Sequence, residues 1–245
     1  MRRWLTVLLI VFWPVVGIRQ VGAQTYQQEY QSAMVAYRQY QARFERDRQL
    51  YQSGSGTSFA TLLASANDAF VARQQAAYSY IRYLRGLVES NVTETLARTE
   101  LVDKLDQHAQ AIGTMTVNFD NLSAWAQADS EATTILAALN ETAYQSFAEI
   151  YYTQLKQIID EYVTIYQSQN QRILSEAASQ IEREGKRVTL EETERTLLNL
   201  QAQISTLRPD FNFVNSQPAY VSWRDKMDSV FALTETSLKA YASLE

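Results

Sequence analysis

The chain has 245 residues, a formal charge of −5, no Cys and a single His. Without Cys it can form no disulfide, no thiolate metal site, no Cys nucleophile and no lipidated N-terminal cysteine. Its acidic balance and lack of a basic run argue against nucleic acid or an anionic membrane surface as partner.

Seven Gly and three Pro are too few for a strand-and-turn architecture, which needs a turn residue every ten positions or so. Gln, Ala, Leu and Glu, all good helix formers, are abundant. The expectation is an all-α protein. It is an elongated antiparallel helical bundle with coiled-coil-like seams, built around one long helix of about 55 residues.

Residues 1–23 read as a secretory signal. Arg2 and Arg3 form the positive start, Trp4 to Ile18 the apolar stretch, and Val21-Gly22-Ala23 the small-residue cleavage site before Gln24. The apolar run falls short of the ~20 residues that span a bilayer, and Pro14 and Arg19 interrupt it, so cleavage is expected over anchoring. Cleavage would remove Arg2, Arg3 and Arg19 and no acid, taking the charge from −5 to −8. No later stretch is apolar enough to span a membrane.

Residues 24–245 are expected to form one elongated helical domain, with 24–160 and 161–245 as its natural sub-bundles. The first helix covers about Gln24 to Gln52. Tyr30, Tyr37, Phe44 and Tyr51 fall on one heptad position, and Tyr26, Ala33 and Tyr40 on the other. Tyr30, Tyr37, Tyr40 and Phe44 are the candidate aromatic face for a ligand such as a sugar. The same spacing also serves a plain helix–helix seam, in which buried rings keep their hydroxyls at the rim. Ser53-Gly54-Ser55-Gly56 ends this helix, and Ser55 or Thr57 can cap the next.

The second helix covers about Ser58 to Glu89. Arg73, Arg82 and Arg85 lie at the edge of its stripe near Tyr78, Tyr80 and Tyr83. They read as a cationic-aromatic patch or as solvated cover on the rings. Asn91 with Glu94 fits a capping-box variant ahead of a third helix from Thr93. The helical period runs through Gly113 to about Ala128, so one continuous helix is expected there, with a stop at Gly113 as the rival reading.

Asp129 or Ser130 is the expected cap of the long helix. From Ser130 to Gly185 no Gly or Pro intervenes, and Ile135, Leu139, Tyr144, Phe147, Tyr151, Leu155, Ile158, Tyr162, Ile165, Gln169, Ile173, Ala177 and Ile181 recur mostly at steps of three and four. At 1.5 Å per residue this helix is roughly 80 Å long. Gly185 is its expected end, and Thr189-Leu190-Glu191-Glu192 the capping box of a fifth helix that stops at Pro209. Residues 209–217 carry Phe211, Phe213 and Val214 in an otherwise polar set of links. They read as a plug on the bundle's end or as an exposed partner-binding loop. The last helix follows Ser216 and buries Tyr220, Trp223, Met227, Phe231, Thr234, Leu238 and Tyr241. Short links make sequence neighbours antiparallel. Helices one to three are expected on the first half of the long helix, and five and six on its second half.

Chemistry is sparse. His108 cannot supply a di-iron bundle's two Glu-x-x-His motifs, and no nucleophile marks a triad around it. No metal or cofactor is expected. Paired carboxylates from distant helices leave no sequence signature, so a carboxylate hydrolase would show only as two acids converging in a cleft. Asn91, Asn121 and Asn140 open glycosylation triplets, but the last two fall inside expected helices. The reading is an exported, non-enzymatic protein of the cell surface or envelope, acting as a structural or protein-interaction module. Its partner would be a protein or a cell-surface component, and an oligomer is compatible with it. The alternative is an extracellular ligand-binding or sensory bundle with a tyrosine-lined pocket.

Overall fold

The computed structural model describes residues 23–115, 118–209 and 216–243. It is an all-α bundle of six helices: α1 (Ala23–Gln52), α2 (Phe59–Asn91), α3 (Thr95–Gly113), α4 (Leu122–Ser175), α5 (Gln180–Thr206) and α6 (Ser216–Ala242). No strand occurs among the described residues.

Local chemistry sets most of the ends. Gly54 sits in the left-handed region at φ 69°, where a side chain would be strained. Its N–H donates to Tyr51 O at 3.2 Å, and the Ser55 N–H reaches back to Leu50 O at 2.9 Å, the two bonds of a Schellman stop. Ser58, rather than Ser55 or Thr57, caps α2: its Oγ accepts from the Thr61 N–H at 3.1 Å.

Several boundaries differ from the sequence expectation. α3 stops at Gly113. The chain then turns at Phe119, whose N–H and carbonyl both bond the Asn67 side chain, at 3.3 and 3.4 Å. The Phe119 ring packs edge-on against Phe70 at 5.1 Å. This fixed turn lets α4 start earlier, at Leu122. Its cap is Asn121, which accepts from the Ala124 N–H at 2.9 Å, rather than Asp129 or Ser130. Asn91 is not a cap. It closes α2, donating to Leu87 O at 2.8 Å and accepting from Gln154 at 3.0 Å, while the α3 cap position belongs to Glu94, which makes no side-chain cap bond.

The long helix also ends earlier, at Ser175. Ser179 Oγ accepts from the Glu182 N–H at 3.1 Å, and Glu182 returns a bond to the Ala178 N–H at 3.0 Å, so the working capping box is Ser179 to Glu182. Thr189 lies inside α5 and donates to Gly185 O at 3.2 Å. Glu191, Glu192 and Glu194 therefore do not sit at a helix start, and Glu191 instead pairs with Arg187. The reason is packing. A turn at 176–179 brings Leu190 and Leu197 back onto Ile173 and Tyr166, whereas Ile181, expected on the buried stripe, is 87% exposed.

Consecutive helices alternate in direction, as the short links require. Arg73 meets Asp129 and Asn91 meets Gln154, so α2 runs parallel to α4. Lys104 meets Gln145 and His108 meets Thr142, so α3 is antiparallel to it. Gln201 bonds Asp160, and Tyr144 and Tyr166 contact Tyr220 and Tyr241, which sets α5 antiparallel and α6 parallel. The first half of α4 shares a core with α2 and α3 through Leu84, Leu101, Leu105 and Leu139. Its second half shares one with α5 and α6 through Leu155, Ile159, Leu200, Ile204 and Met227. Because it serves both cores, α4 buries side chains on several faces, the pattern of a central helix. α1 departs from expectation. It packs along α2 and reaches α4 only at its far end, where Phe44 meets Trp125 at 4.9 Å. Among the described residues no helix is long and apolar enough to cross a membrane.

Candidate functional site

The two three-helix cores meet at the middle of α4, and the bundle has a waist there. On one flank, the start of α3 and the end of α5 face each other tip to tip. Between them lies a groove of about 880 Å³. Residues 149–165 of α4 line its length, and Thr93, Glu94 and Arg208 close its sides. Arg208 donates to Glu94 at 2.5 Å and so ties one core to the other across the rim. That hydrogen bond raises the Arg208 guanidinium above its ordinary value. Further along, Lys156 donates to Asp160 at 2.5 Å, and Gln201 donates to the other oxygen at 2.8 Å. Burial pushes the Asp160 carboxyl up, but these two bonds outweigh it and hold the group below the usual carboxylate range.

Glu149 is the exception. It is fully buried on the lining of the groove, and neither carboxylate oxygen has a hydrogen-bond partner within the protein. Burying an isolated carboxylate is costly, and the group responds by holding its proton. Burial, with Arg208 pulling down and Glu94 pushing up, raises its pKa to about 7. At neutral pH Glu149 therefore changes charge easily. It can donate a hydrogen bond as an acid or receive a cation as a carboxylate. Tyr152 and Thr153, both buried, follow it on the next turn of α4.

Sequence reasoning did not single out Glu149. One signal was there: it is the only charged residue between Glu141 and Lys156.

The residues that were singled out fall elsewhere. The α1 aromatic face lies largely on α2. Tyr30 packs on Tyr80 at 4.9 Å and on Tyr83 at 6.2 Å, and Phe44 is buried on Trp125. Tyr37 is half-buried and its phenol is pushed up by burial, while Tyr40 is 40% exposed. The inner end of this seam continues into Tyr80, Tyr144 and Tyr220, packed on the other side of α4 from the groove. Phe211, Phe213 and Val214 lie outside the described residues, as does the segment up to residue 22.

The arginines of α2 do not form a free cationic patch. Arg73 pairs with Asp129, Arg82 with Glu29 while lying 4.8 Å over the Tyr26 ring, and Arg85 with Asp106 and Glu89. His108 is half-buried and bonds Thr142 at 2.9 Å, and burial lowers its pKa. Among the described residues no group of three or more His, Asp or Glu is placed to hold a metal ion. Comparison with known proteins gives no match: no family model, no curated protein and no solved structure is similar to this chain.

Proposed function

We propose that this chain is an exported, non-enzymatic binding module of the cell surface or envelope, and that the waist groove is its working surface. The observation that supports this is Glu149, a fully buried carboxylate on the groove's lining with no hydrogen-bond partner within the protein. Buried polar groups are almost always satisfied within the fold, so an unsatisfied one facing a groove calls for a partner from outside. The reading favours a ligand-binding bundle over a purely structural rod, with the ligand at the waist rather than among the α1 tyrosines.

A second reading has one observation in its favour. A protonated Glu149 near Glu94 is an acid beside a carboxylate, the pair a hydrolase needs. It ranks below binding because the Glu94 carboxylate is already engaged by Arg208.

Two results are expected. Export predicts that mature protein from the native culture begins at Gln24, by intact mass. Recovery of Met1 on membrane-bound protein removes the export half of the proposal. Binding predicts that a charge-diverse panel of small molecules and peptides contains compounds that raise the melting temperature. Their effect disappears in Gln157→Trp, which covers the groove from an exposed position on α4. A panel with no stabiliser, or stabilisers indifferent to Gln157→Trp, removes the binding half.

A further inference from the structure

The groove's charge pattern selects among ligands. Two of its acids already have cations: Glu94 has Arg208, and Asp160 has Lys156. Each pair is internally neutral, so neither attracts an ion strongly. Glu161 accepts a bond from the neutral Gln157. Neither Glu149 oxygen has a hydrogen-bond partner within the protein. With Glu149 ionised, the lining carries four acids against Lys156 and Arg208, and of the two acids without a cation, Glu149 and Glu161, Glu149 is the buried one, where Coulomb attraction is least screened.

The shape narrows this further. A metal ion needs several ligands, and no acid or His cluster is present among the described residues. A guanidinium is a broad planar fork that needs an open carboxylate edge. An ammonium is compact, with three donors that can divide between a carboxylate and neighbouring hydroxyls, and here Thr153 lies one turn beyond Glu149, with Thr93 on the wall. Beside Glu149 the groove offers the Tyr152 ring, and beyond that Lys156, Gln157, Asp160, Glu161 and Thr164 make the lining polar.

We propose that the waist groove binds a primary ammonium group carried on a short aliphatic chain, with the ammonium on the Glu149 carboxylate and the chain beside the Tyr152 ring. The proposal rests on the reading of the groove as a binding site. Two sources share this chemistry: a free alkyl diamine and a lysine side chain.

The charged and titratable groups around Glu149 are Arg208 and Glu94 on the two helix tips, and Tyr152, Lys156 and Asp160 along α4. Glu149 is the one that burial places near neutrality, so binding follows its ionisation. Affinity for the amine is expected to rise about tenfold from pH 6 to pH 8.

Calorimetric titration of the full chain with cadaverine, putrescine and Nα-acetyl-lysine amide tests this, with 1,5-pentanediol as the uncharged control. The expected result is saturable binding of at least one amine at pH 8, at least tenfold weaker in Glu149→Gln, with no heat from the diol. Preference for the diamines assigns a free amine as ligand, and preference for the lysine amide assigns a protein side chain. Near pH 6.5, titrations in two buffers of different ionisation enthalpy should show a proton released on binding to the wild-type chain. Equal affinity for the diol, amine binding without proton release, or full binding in Glu149→Gln overturns the ammonium assignment. A ligand of another class that still depends on an open groove would leave the binding-module reading standing, whereas no ligand of any class would end both.

Discussion

Glu149→Gln is expected to stabilise the protein at pH 8 and leave it nearly unchanged at pH 4.5. An isolated glutamate in the unfolded chain titrates near 4.5, and folding raises Glu149 to about 7. Below the lower value the carboxyl is protonated in both states and contributes no pH dependence. Between the two values only the folded chain keeps the proton, so each pH unit costs about 1.4 kcal/mol of stability. Above pH 7 the folded chain also gives up its proton and the penalty levels off, at roughly 3 kcal/mol. For a chain of this size that is a melting-temperature difference of about 6–12 °C between variant and wild type. The measurement is a pair of melting curves taken from pH 4.5 to pH 8. A difference that opens across this window and then stays constant is expected. Parallel curves would show that Glu149 is hydrated or paired in solution, and the groove would lose the feature that marks it as a site.

The second large effect is expected from a proline in α4 at the waist. Gln157 is exposed, so replacing it tests the backbone rather than the core. Proline there removes one helix hydrogen bond and sets its ring against the carbonyl one turn earlier, costing about 3 kcal/mol or more. Off the α4 backbone, the two cores are linked through the described residues by the Arg208–Glu94 pair, by the Tyr80, Tyr144 and Tyr220 contacts, and by Phe147, which packs on both. Ala148 and Tyr152, which precede residue 157, also pack in the α5–α6 core, so the two cores interlock along this stretch of α4. Gln157→Pro is therefore expected to lower one shared melting transition, by about 6–12 °C. Gln157→Ala is expected to melt as the wild type does. A single unshifted transition in the proline variant would show that α4 is not the continuous strut joining the cores.

Helix count, the central place of the long helix and the alternating directions were legible in the residues. Each rests on something local: the period of apolar positions, the scarcity of Gly and Pro, and links too short for anything but a reversal. The stop at Gly54 was legible too, because its two reach-back bonds lie within a few residues. The α6 stripe was read well, with Tyr220, Trp223, Met227, Thr234 and Tyr241 all buried.

Boundaries were lost where the sequence offered two solutions of similar local energy. Ser179 with Glu182 and Thr189 with Glu192 are both capping boxes, and Gly185 between them looks like a terminator. A helix tolerates an interior Gly for about 1 kcal/mol. Burying Leu190 and Leu197 on Tyr166 and Ile173 outweighs that, at roughly 1.5–3 kcal/mol for each side chain. Gly113 went the other way for a similar reason. The helical period continues past it, but the Asn67 bonds to Phe119 and the Phe70 contact reward a turn, and both partners lie some fifty residues earlier in the chain.

The groove belongs wholly to tertiary structure. It exists because α3 and α5 are each shorter than α4 and stop facing one another, leaving a stretch of the central helix uncovered. No window of sequence contains that arrangement. The sequence by itself determined that Glu149 would be a lone charge among apolar neighbours on the central helix. Only the packing of α2, α3, α5 and α6 around that helix decided that it would be buried, left without a hydrogen-bond partner within the protein and placed on the lining of a groove. Burial and the absence of a hydrogen-bond partner are properties of what surrounds a side chain, and for Glu149 the surroundings come from segments more than fifty residues away on either side.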